Sequence, residues 1–223
     1  MITKYYIFIG LILAAMAPKA AKAAKAAKAA KAALIKDRDL YFIHIPKNAG
    51  TYFSKKFLNE KKSPGHHNAF FLSNECRKKT VAIVRNPYSR MLSLYTYAKA
   101  DESFYHTNGS HKHYSFASSH SFDSYIEALY LGLLKHDEHS HPQSYYLRNM
   151  YGKCKCKYIL RFENLNQEII EKLGFNVNDN KKINSSDNKT PWKEFYKNSR
   201  TIQLVNEIYK DDFRLFGYVT IKS

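Results

Sequence analysis

Three short apolar runs, each followed by a stretch of helical character, constrain most strongly what this chain can fold into. The runs cover residues 40–45 (LYFIHI), 80–84 (TVAIV) and 158–162 (YILRF). They are rich in β-branched and aromatic residues, which is typical of buried strands. The helices predicted to follow them cover residues 51–58, 88–99 and 165–173. Strands that alternate with helices favour a three-layer α/β/α fold, in which helices cover both faces of a central parallel sheet.

The remaining sequence predicts two further helices and two long loops. The helices cover residues 122–134 and 193–216, and the second ends at Gly217. The loops are a Ser- and His-rich stretch at residues 101–121 and an Asn- and Lys-rich stretch at residues 176–189. We place the folded domain at residues 37–223, a length that can bury a substantial core. The chain has three cysteines, an odd number and too few for a disulfide framework.

The N-terminal segment, residues 1–18, contains an apolar run of 13 residues, shorter than the roughly 20 that a membrane-spanning helix needs. A signal peptide, a short membrane anchor and an apolar element packed on the domain all fit this length. We expect a secretory or membrane-anchoring role, so the protein would be membrane-anchored or lumenal. A cytoplasmic location is the alternative.

Residues 19–36 form a Lys- and Ala-rich stalk or linker, in which lysine recurs every third residue. A helix of this sequence would carry charge on all sides and show no apolar stripe. A polybasic contact with anionic lipid or nucleic acid is the alternative. Residues 1–36 hold seven lysines and no acid, which is +7 of the formal net charge of +17. The remaining +10 lies on the domain, which therefore attracts anions of a kind that the charge alone does not specify.

The segment between the first apolar run and its helix carries the strongest chemical signal. Residues 46–51 are Pro-Lys-Asn-Ala-Gly-Thr. A helix that starts at the end of a parallel strand presents amide groups and a partial positive charge, which suit a phosphate. Lys47 adds a mobile cation, Gly50 permits close backbone approach and Thr51 adds a hydroxyl. This is not a Walker A loop, since the lysine precedes the glycine, and a plain turn is the alternative.

A second segment, residues 81–95 (VAIVRNPYSRMLSLY), again places a basic residue directly after a buried strand. Pro87 suits the first position of a helix. Arg85 offers a forked set of donors and Ser93 a hydroxyl, both suited to a second phosphate. Two anion sites at neighbouring strand ends imply a ligand with phosphates at both ends of one nucleoside.

Together these segments resemble a known family. IHIPKNAGT and VRNPYSRMLSLY are similar to the 5′-phosphosulfate loop and the 3′-phosphate motif of sulfotransferases that use 3′-phosphoadenosine-5′-phosphosulfate, above all in the carbohydrate-sulfotransferase branch. Further similarity lies in Pro142-Gln143, in RFENL at residues 161–165 and in IYKDDFRLFGY at residues 208–218. The resemblance implies the P-loop NTPase-like sulfotransferase fold. Tyr52 departs from the pattern, where the family usually has Ser or Thr.

The resemblance also implies roles for individual residues. Lys47 would act at the bridging oxygen and support the leaving phosphate. The 5′-phosphate would be held by Lys47 and the residues after it, namely Asn48, Ala49, Gly50, Thr51 and Tyr52. Arg85 and Ser93 would hold the 3′-phosphate, and Asn184 and Ser185 would close near the nucleotide. Sulfuryl transfer is an in-line displacement governed by positioning and charge stabilisation, so we expect no metal.

An acceptor hydroxyl needs a general base, and a histidine suits this role by its pKa near neutrality. Similar enzymes place a Gly-His between the two donor motifs, and here Gly65 precedes His66 and His67. We predict His66 as the base, then His67, then Glu163. Two surface histidines on a basic loop are the alternative interpretation.

Further histidines cluster later in the chain: His106, His111, His113, His120, His136, His139 and His141. A zinc site built on His111 and His113 is conceivable, but no neighbouring cysteine or carboxylate in the sequence completes it. We therefore predict solvated loop residues, which together with Lys112 would line an acceptor cleft.

The expected acceptor is a hydroxyl of an acidic or neutral glycan, with a lipid, a peptide tyrosine and a small metabolite as alternatives. A nucleic-acid- or polyanion-binding protein is the main rival from another class, but the sequence has no signature of such a module. A nucleotide kinase is the enzymatic rival, but a Walker A lysine and an evident magnesium-binding Asp are missing. We expect no nucleic-acid partner, and the sequence predicts no oligomeric state.

Overall fold

A computed structural model of the protein describes residues 40–58, 80–100, 111–148, 156–177 and 191–222. The segments at residues 1–18 and 19–36 lie outside the described residues, so their predicted roles stay predictions. Within the described ranges, no helix combines the length and the apolar composition needed to cross a bilayer.

The sheet has three parallel strands in the order β1-β2-β3. The strands are β1 (Tyr41–Ile43), β2 (Thr80–Val84) and β3 (Tyr158–Arg161). Val81 in the central strand pairs with Phe42 on one side and with Tyr158 on the other. All five residues of β2 are buried, as expected for a central strand covered on both faces.

The helices of the described residues are α1 (Gly50–Phe57), α2 (Pro87–Ala98), α3 (Tyr114–Ser119), α4 (Phe122–Tyr130), α5 (Gln143–Leu147), α6 (Leu165–Glu168), α7 (Ser199–Ile208) and α8 (Lys210–Phe216). Two 3₁₀ turns, Phe162–Asn164 and Trp192–Phe195, accompany them. Strand and helix therefore alternate from β1 to α2, as the sequence predicts.

Helices cover both faces of the sheet. On one face, Ile43 belongs to a buried cluster with Tyr146 of α5 and Phe216 of α8. Neighbouring residues of a strand point to opposite faces, and on the other face the ring of Phe42 lies 4.7 Å from that of Phe53 in α1. This arrangement confirms the predicted three-layer α/β/α fold.

A second core joins α2, α3, α4 and α7. Tyr88, at the start of α2, is fully buried. Its ring stacks on Trp192 at 5.4 Å and meets Tyr196 edge-on at 4.9 Å. Aromatic pairs of this kind contribute about 0.5–1.5 kcal/mol each beyond their buried area. The packing fixes the start of α2, where the second predicted anion-binding segment lies.

Several predicted element boundaries are wrong. The stretch predicted as a loop at residues 101–121 contains α3, which buries Ala117 in the second core. The helix predicted to reach residue 134 ends at Tyr130, and Gly132 follows with a φ of 75°. The predicted helix 193–216 is instead a 3₁₀ turn that ends at Phe195, three non-helical residues at 196–198, and the helices α7 and α8 on either side of Tyr209. Short helices such as α3 depend on tertiary packing more than on local propensity.

Residues 166–177 belong to a separate compact unit. Within it, α6 continues into a π-helical turn at Ile169–Leu173, and Lys172 pairs with Glu168 at 2.7 Å. Gly174 ends this helix with a φ of 70°. The predicted helix end at Gly174 is therefore confirmed.

Candidate active site

The donor loop, residues 46–49 between β1 and α1, has an unusual backbone. Lys47 and Ala49 have positive φ angles of 67° and 61°, which cost a residue with a Cβ about 1–2 kcal/mol. Left-handed residues turn successive amide groups toward one concave side, as in anion-binding nests. Ala49 is the N-cap residue and has no side-chain oxygen to cap α1, an arrangement that suits an anionic ligand at the helix start.

Gly50 is required by a side chain of the protein itself. A Cβ at this position would lie 1.9 Å from Cδ2 and 2.1 Å from Nε2 of His44. His44 is buried and its ring stacks on Phe42 at 5.8 Å. The sequence predicts that Gly50 lets a phosphate approach the backbone closely. In the structure, the imidazole of His44 makes such a close approach on one side of Gly50.

Asn48 ties the donor loop to the end of β2. Its side chain is buried, and Nδ2 donates to the carbonyl of Ile83 and to Oε1 of Gln143, each at 2.7 Å. Because the side-chain donors bind protein groups, the predicted contact of Asn48 with the 5′-phosphate would come from its backbone.

Arg85 brings the two predicted anion-binding segments together. Its Nη1 donates to the carbonyl of Lys47 at 3.1 Å, and its Nε donates to Oγ of Ser89 at 2.9 Å. The guanidinium also lies 4.2 Å from the ring centre of Phe162. Burial, and then the charge of Arg90, lower the pKa of Arg85 to about 10, against the opposing effect of Glu163. Arg85 stays charged at neutral pH beside the donor loop.

Arg85 contacts Ser89, a serine to which the sequence assigns no role in phosphate binding. Ser89 receives the Nε hydrogen bond, whereas the predicted Ser93 lies one helical turn further along α2 and is half-buried. Residues four apart share one face of a helix. Ser89 and Ser93 therefore form one hydroxyl-bearing face beside Arg85.

The Lys47 ammonium lies in a confined, positively charged environment. Nζ is 3.8 Å from the ring centre of Tyr97 in α2, a cation–π distance. Burial, followed by the charges of Arg85 and Arg90, lowers the pKa of Lys47 to about 7. An anion bound here would offset the repulsion that Arg85 and Arg90 exert on the Lys47 ammonium.

Arg90 supports the site from behind, a role that the sequence analysis does not identify. Its side chain is buried and donates to three backbone carbonyls, those of Pro46 at 3.1 Å, His139 at 2.9 Å and His141 at 3.0 Å. Arg90 thus joins the start of the donor loop to the turn at residues 139–141. Arg90 is the second basic residue of this segment, five positions after Arg85, and this is the signal that could have identified it.

Gln143 and Asp212 explain two further parts of the family resemblance. The side chain of Gln143 accepts from the amide of Arg85 and donates to its carbonyl, each at 2.8 Å. The buried carboxylate of Asp212 accepts from the amides of Gln143 and Ser144, each at 2.7 Å. The C-terminal motif therefore holds α5, and α5 holds the backbone of Arg85.

Glu163, the third predicted base, has both carboxylate oxygens engaged. Oε1 accepts from the amide of Asn86 at 2.7 Å, and Oε2 accepts from the hydroxyl of Tyr218 at 2.9 Å. These contacts favour a supporting role at the start of α2.

The other predicted site residues divide into two groups. Thr51 is half-buried in the first turn of α1, while the ring of Tyr52 is buried and meets Phe57 edge-on at 5.9 Å. His66, His67, Asn184 and Ser185 lie outside the described residues. Their predicted roles stay predictions.

The prediction of solvated histidines is wrong for His111, His113 and His139, which are 3%, 4% and 7% exposed. The sequence indicates no carboxylate near these histidines, but the structure has one. Oδ2 of Asp137 lies 3.0 Å from Nε2 of His111. Only the fold brings residues 111 and 137 together. His120 and His136 are exposed, as predicted.

Comparisons with curated proteins and with solved structures gave no match. A family model described as "Sulfotransferase family" matches residues 32–219. The matched range includes all three strands, the donor loop, Arg85 and the C-terminal helices that hold α5. It covers most of the chain and agrees with the resemblance found in the two segments that are predicted to bind anions. The chain therefore belongs to the sulfotransferase family, whose activity is the transfer of sulfuryl groups.

Proposed function

We propose that this protein transfers a sulfuryl group from 3′-phosphoadenosine-5′-phosphosulfate to a hydroxyl of a carbohydrate acceptor. The observation that carries the proposal is the hydrogen bond from Arg85 to the carbonyl of Lys47. It joins two cationic segments that leave adjacent parallel strands, where ligands of α/β proteins bind.

The residues of the site fit such a donor. The nest at Lys47 and Ala49, together with the start of α1, suits the 5′-phosphosulfate. Arg85, Ser89 and Ser93 offer a guanidinium and two hydroxyls to the 3′-phosphate. Binding of a polyanion would offset the repulsion that Arg85 and Arg90 exert on the buried Lys47 ammonium.

The donor supplies a sulfuryl group on a good leaving group, and the protein positions and stabilises charge. Lys47 would place its ammonium on the bridging oxygen, where negative charge develops as the bond to sulfur breaks. The acceptor oxygen forms the new bond to sulfur, and its proton passes to the base, for which His66 is the first candidate and His67 the second. The adenosine bisphosphate leaves with the bridging oxygen.

The carbohydrate acceptor and the compartment belong to the same proposal. The branch that the two motifs most resemble favours a glycan, and the +10 charge of the domain favours an acidic one. The apolar N-terminal run favours a secretory or membrane-anchored protein. We place the protein in the secretory compartment, anchored or secreted through residues 1–18.

Ligand-induced thermal stabilisation tests the donor. At a hundred times its Kd, 3′-phosphoadenosine-5′-phosphate should stabilise the fold by about 2.7 kcal/mol, which raises Tm by about 5–10 °C for a chain of this length. ATP with magnesium and duplex DNA should have little effect. Stabilisation by ATP and not by the bisphosphate would favour a nucleotide kinase, and stabilisation by DNA alone a nucleic-acid-binding protein.

Transfer of radiolabelled sulfate across a panel of glycans tests the acceptor. Acidic, neutral and chemically desulfated glycans should be compared with a tyrosine peptide and a glycolipid. We expect labelled acidic glycan, and label on the peptide or lipid alone would reject the carbohydrate acceptor while leaving the donor intact.

A further inference from the structure

We propose that His111, His113 and Asp137 bind a divalent transition-metal ion, Zn²⁺, at a structural site behind the donor loop. The proposal is independent of the donor and of the acceptor, because no residue of this cluster has a role in the transfer described above. It rests on the convergence of buried imidazoles and one carboxylate from two separate loops.

The donor atoms have the spacing of a metal site. One ligand atom from each of the three residues lies within 4.8 Å of the other two. Nε2 of His111 and Oδ2 of Asp137 are 3.0 Å apart, and Nδ1 of His139 is 3.9 Å from the same oxygen. Tetrahedral zinc with bonds of about 2.0–2.1 Å places neighbouring ligand atoms about 3.3 Å apart. These distances are compatible with one ion shared by His111, His113 and Asp137, and His139 lies beside Asp137 as a further imidazole.

Burial separates this cluster from ordinary surface histidines. All four side chains are more than nine-tenths buried. They come from residues 111–113 and 137–139, which contain no helix or strand. Polar side chains are expensive to bury unless their donors and acceptors are matched. A metal ion matches several imidazoles and a carboxylate at once.

Neighbouring groups orient two of the ligands. Oδ1 of Asp137 accepts from the amides of His139 at 3.0 Å and Ser140 at 2.9 Å, which leaves Oδ2 directed at the cluster. Nε2 of His113 lies 3.1 Å from the carbonyl of Lys135, which requires a proton on that nitrogen. Histidine ligands commonly donate their second nitrogen to a carbonyl in this way. The metal-binding nitrogen of His113 is therefore Nδ1, which the hydroxyl of Tyr125 approaches at 2.9 Å.

Two local groups must adjust when the metal binds. Nδ1 of His111 accepts from the amide of His113 at 3.0 Å, so the neutral ring carries its proton on Nε2. Binding through Nε2 moves that proton to Nδ1 and releases this amide, while the Tyr125 hydroxyl turns away from His113. The exposed ammonium of Lys112, 3.7 Å from Oδ2, moves into solvent. The loss of two hydrogen bonds is small beside the binding free energy of a structural zinc.

The ligand set selects the ion. Two or three imidazoles with one carboxylate suit zinc, copper or nickel, whereas magnesium and calcium prefer oxygen ligands. Tetrahedral zinc takes four ligands, of which His111, His113 and Asp137 provide three, and His139 is a further donor at the edge of the cluster.

The location shows what the ion would stabilise. The ring of Tyr97 lies 5.6 Å from that of His111 and 5.1 Å from that of His139, and its face carries the Lys47 ammonium. The carbonyl of His139 accepts from Arg90, which also binds Pro46. A metal at this point would fix the turn that supports the donor loop from behind.

Metal analysis of the full-length, tag-free chain tests the proposal. The protein is equilibrated with ZnCl₂, dialysed against buffer containing a weak chelator, and its zinc is measured by mass spectrometry. We expect about one zinc per chain, and cobalt substitution should give the visible absorption of a tetrahedral site. Magnesium should not displace either ion. Wild-type protein that retains no zinc would overturn the proposal.

Matched variants identify the site. Asp137→Asn keeps Oδ1 for the two backbone amides and removes the ligand oxygen, so zinc affinity should fall at least about tenfold while the chain stays folded. His111→Gln should have the same effect and serves as a second variant. His120→Gln, an exposed histidine of the same region, should retain full zinc content. Equal zinc in Asp137→Asn and wild type would place the metal elsewhere and reject the site.

Discussion

At the scale of single residues, the environment of Lys47 has a measurable pH dependence. Its pKa is lowered to about 7 in the free protein, first by burial and then by Arg85 and Arg90. A bound phosphate favours the charged ammonium and raises that pKa. Binding therefore takes up a proton above pH 7, and the affinity for 3′-phosphoadenosine-5′-phosphate should fall as pH rises from 7.5 to 9, by at most about tenfold per pH unit.

The matched control for this prediction is Lys47→Arg. Arginine keeps the charge at every pH in this range, so its Kd should change much less between pH 7.5 and 9. Calorimetry in buffers of different ionisation enthalpy measures the proton uptake directly. A wild-type Kd that stays flat across the range would contradict the role of Lys47.

The lowered pKa of Lys47 also makes the stability of the free protein depend on pH. Since the folded pKa lies below the unfolded value of 10.5, the unfolded chain binds more protons between pH 7 and 10.5. The contribution of Lys47 to the free energy of unfolding therefore rises with pH across this window and is lost as pH falls toward 7.

At the scale of elements, the junction of β1 and α1 depends on the fit of one glycine against one imidazole. Gly50→Ala would place a methyl group against the buried His44 ring, and overpacking of this kind destabilises by about 1–3 kcal/mol. The substitution His44→Ala removes the ring and makes room for the methyl group. Urea denaturation of both single variants and the double variant should therefore give a coupling energy of at least about 1 kcal/mol.

Ala49→Gly is the control for the backbone at this junction. Its φ of 61° is one that glycine adopts without strain, so this change should alter stability by less than about 1 kcal/mol. If Gly50→Ala costs the same in the His44→Ala background as in the wild type, contact with His44 is not the reason for the glycine.

At the scale of the whole molecule, the N-terminal residues carry a large share of the charge. Residues 1–36 hold +7 of the +17, and the Lys- and Ala-rich part, residues 19–36, is predicted to bury no core. A chain that starts at Asp37 should therefore keep its Tm within about 2 °C, since surface charge far from the core changes stability little. Its stabilisation by the bisphosphate should also be unchanged. A lost thermal transition would show that the N-terminal residues pack on the domain.

Much of the fold could be predicted because its signals are local. β2 matches its prediction at both ends, β3 ends one residue earlier than predicted, and α2 is displaced by one residue at each end. Apolar runs, Pro87 and the terminal glycines 174 and 217 are visible in the sequence. The predictions failed for α3 and α5, since helices of five or six residues are too short to show periodicity and form only against a core.

The residues of the candidate site also divide into those that local sequence signals predict and those that they do not. Lys47, Gly50 and Arg85 could be predicted because each follows a strand end within a few residues. Ser89 and Arg90 lie in the same motif, but their partners are 4 to 51 residues away, so the sequence does not assign their roles. Gln143 and Asp212 could be noticed only as parts of a family resemblance.

The sequence by itself determined the three strands with the helix that follows each, the loop after the first strand and the family, because all three depend on neighbouring residues. The tertiary structure alone decided that His44 requires Gly50, that Asp212 holds Gln143 against Arg85, and that Asp137 joins His111 and His113. These contacts link residues that are 6 to 69 positions apart. The local periodicity of the sequence cannot predict contacts between residues so far apart, since only the packed core brings the partners within bonding distance.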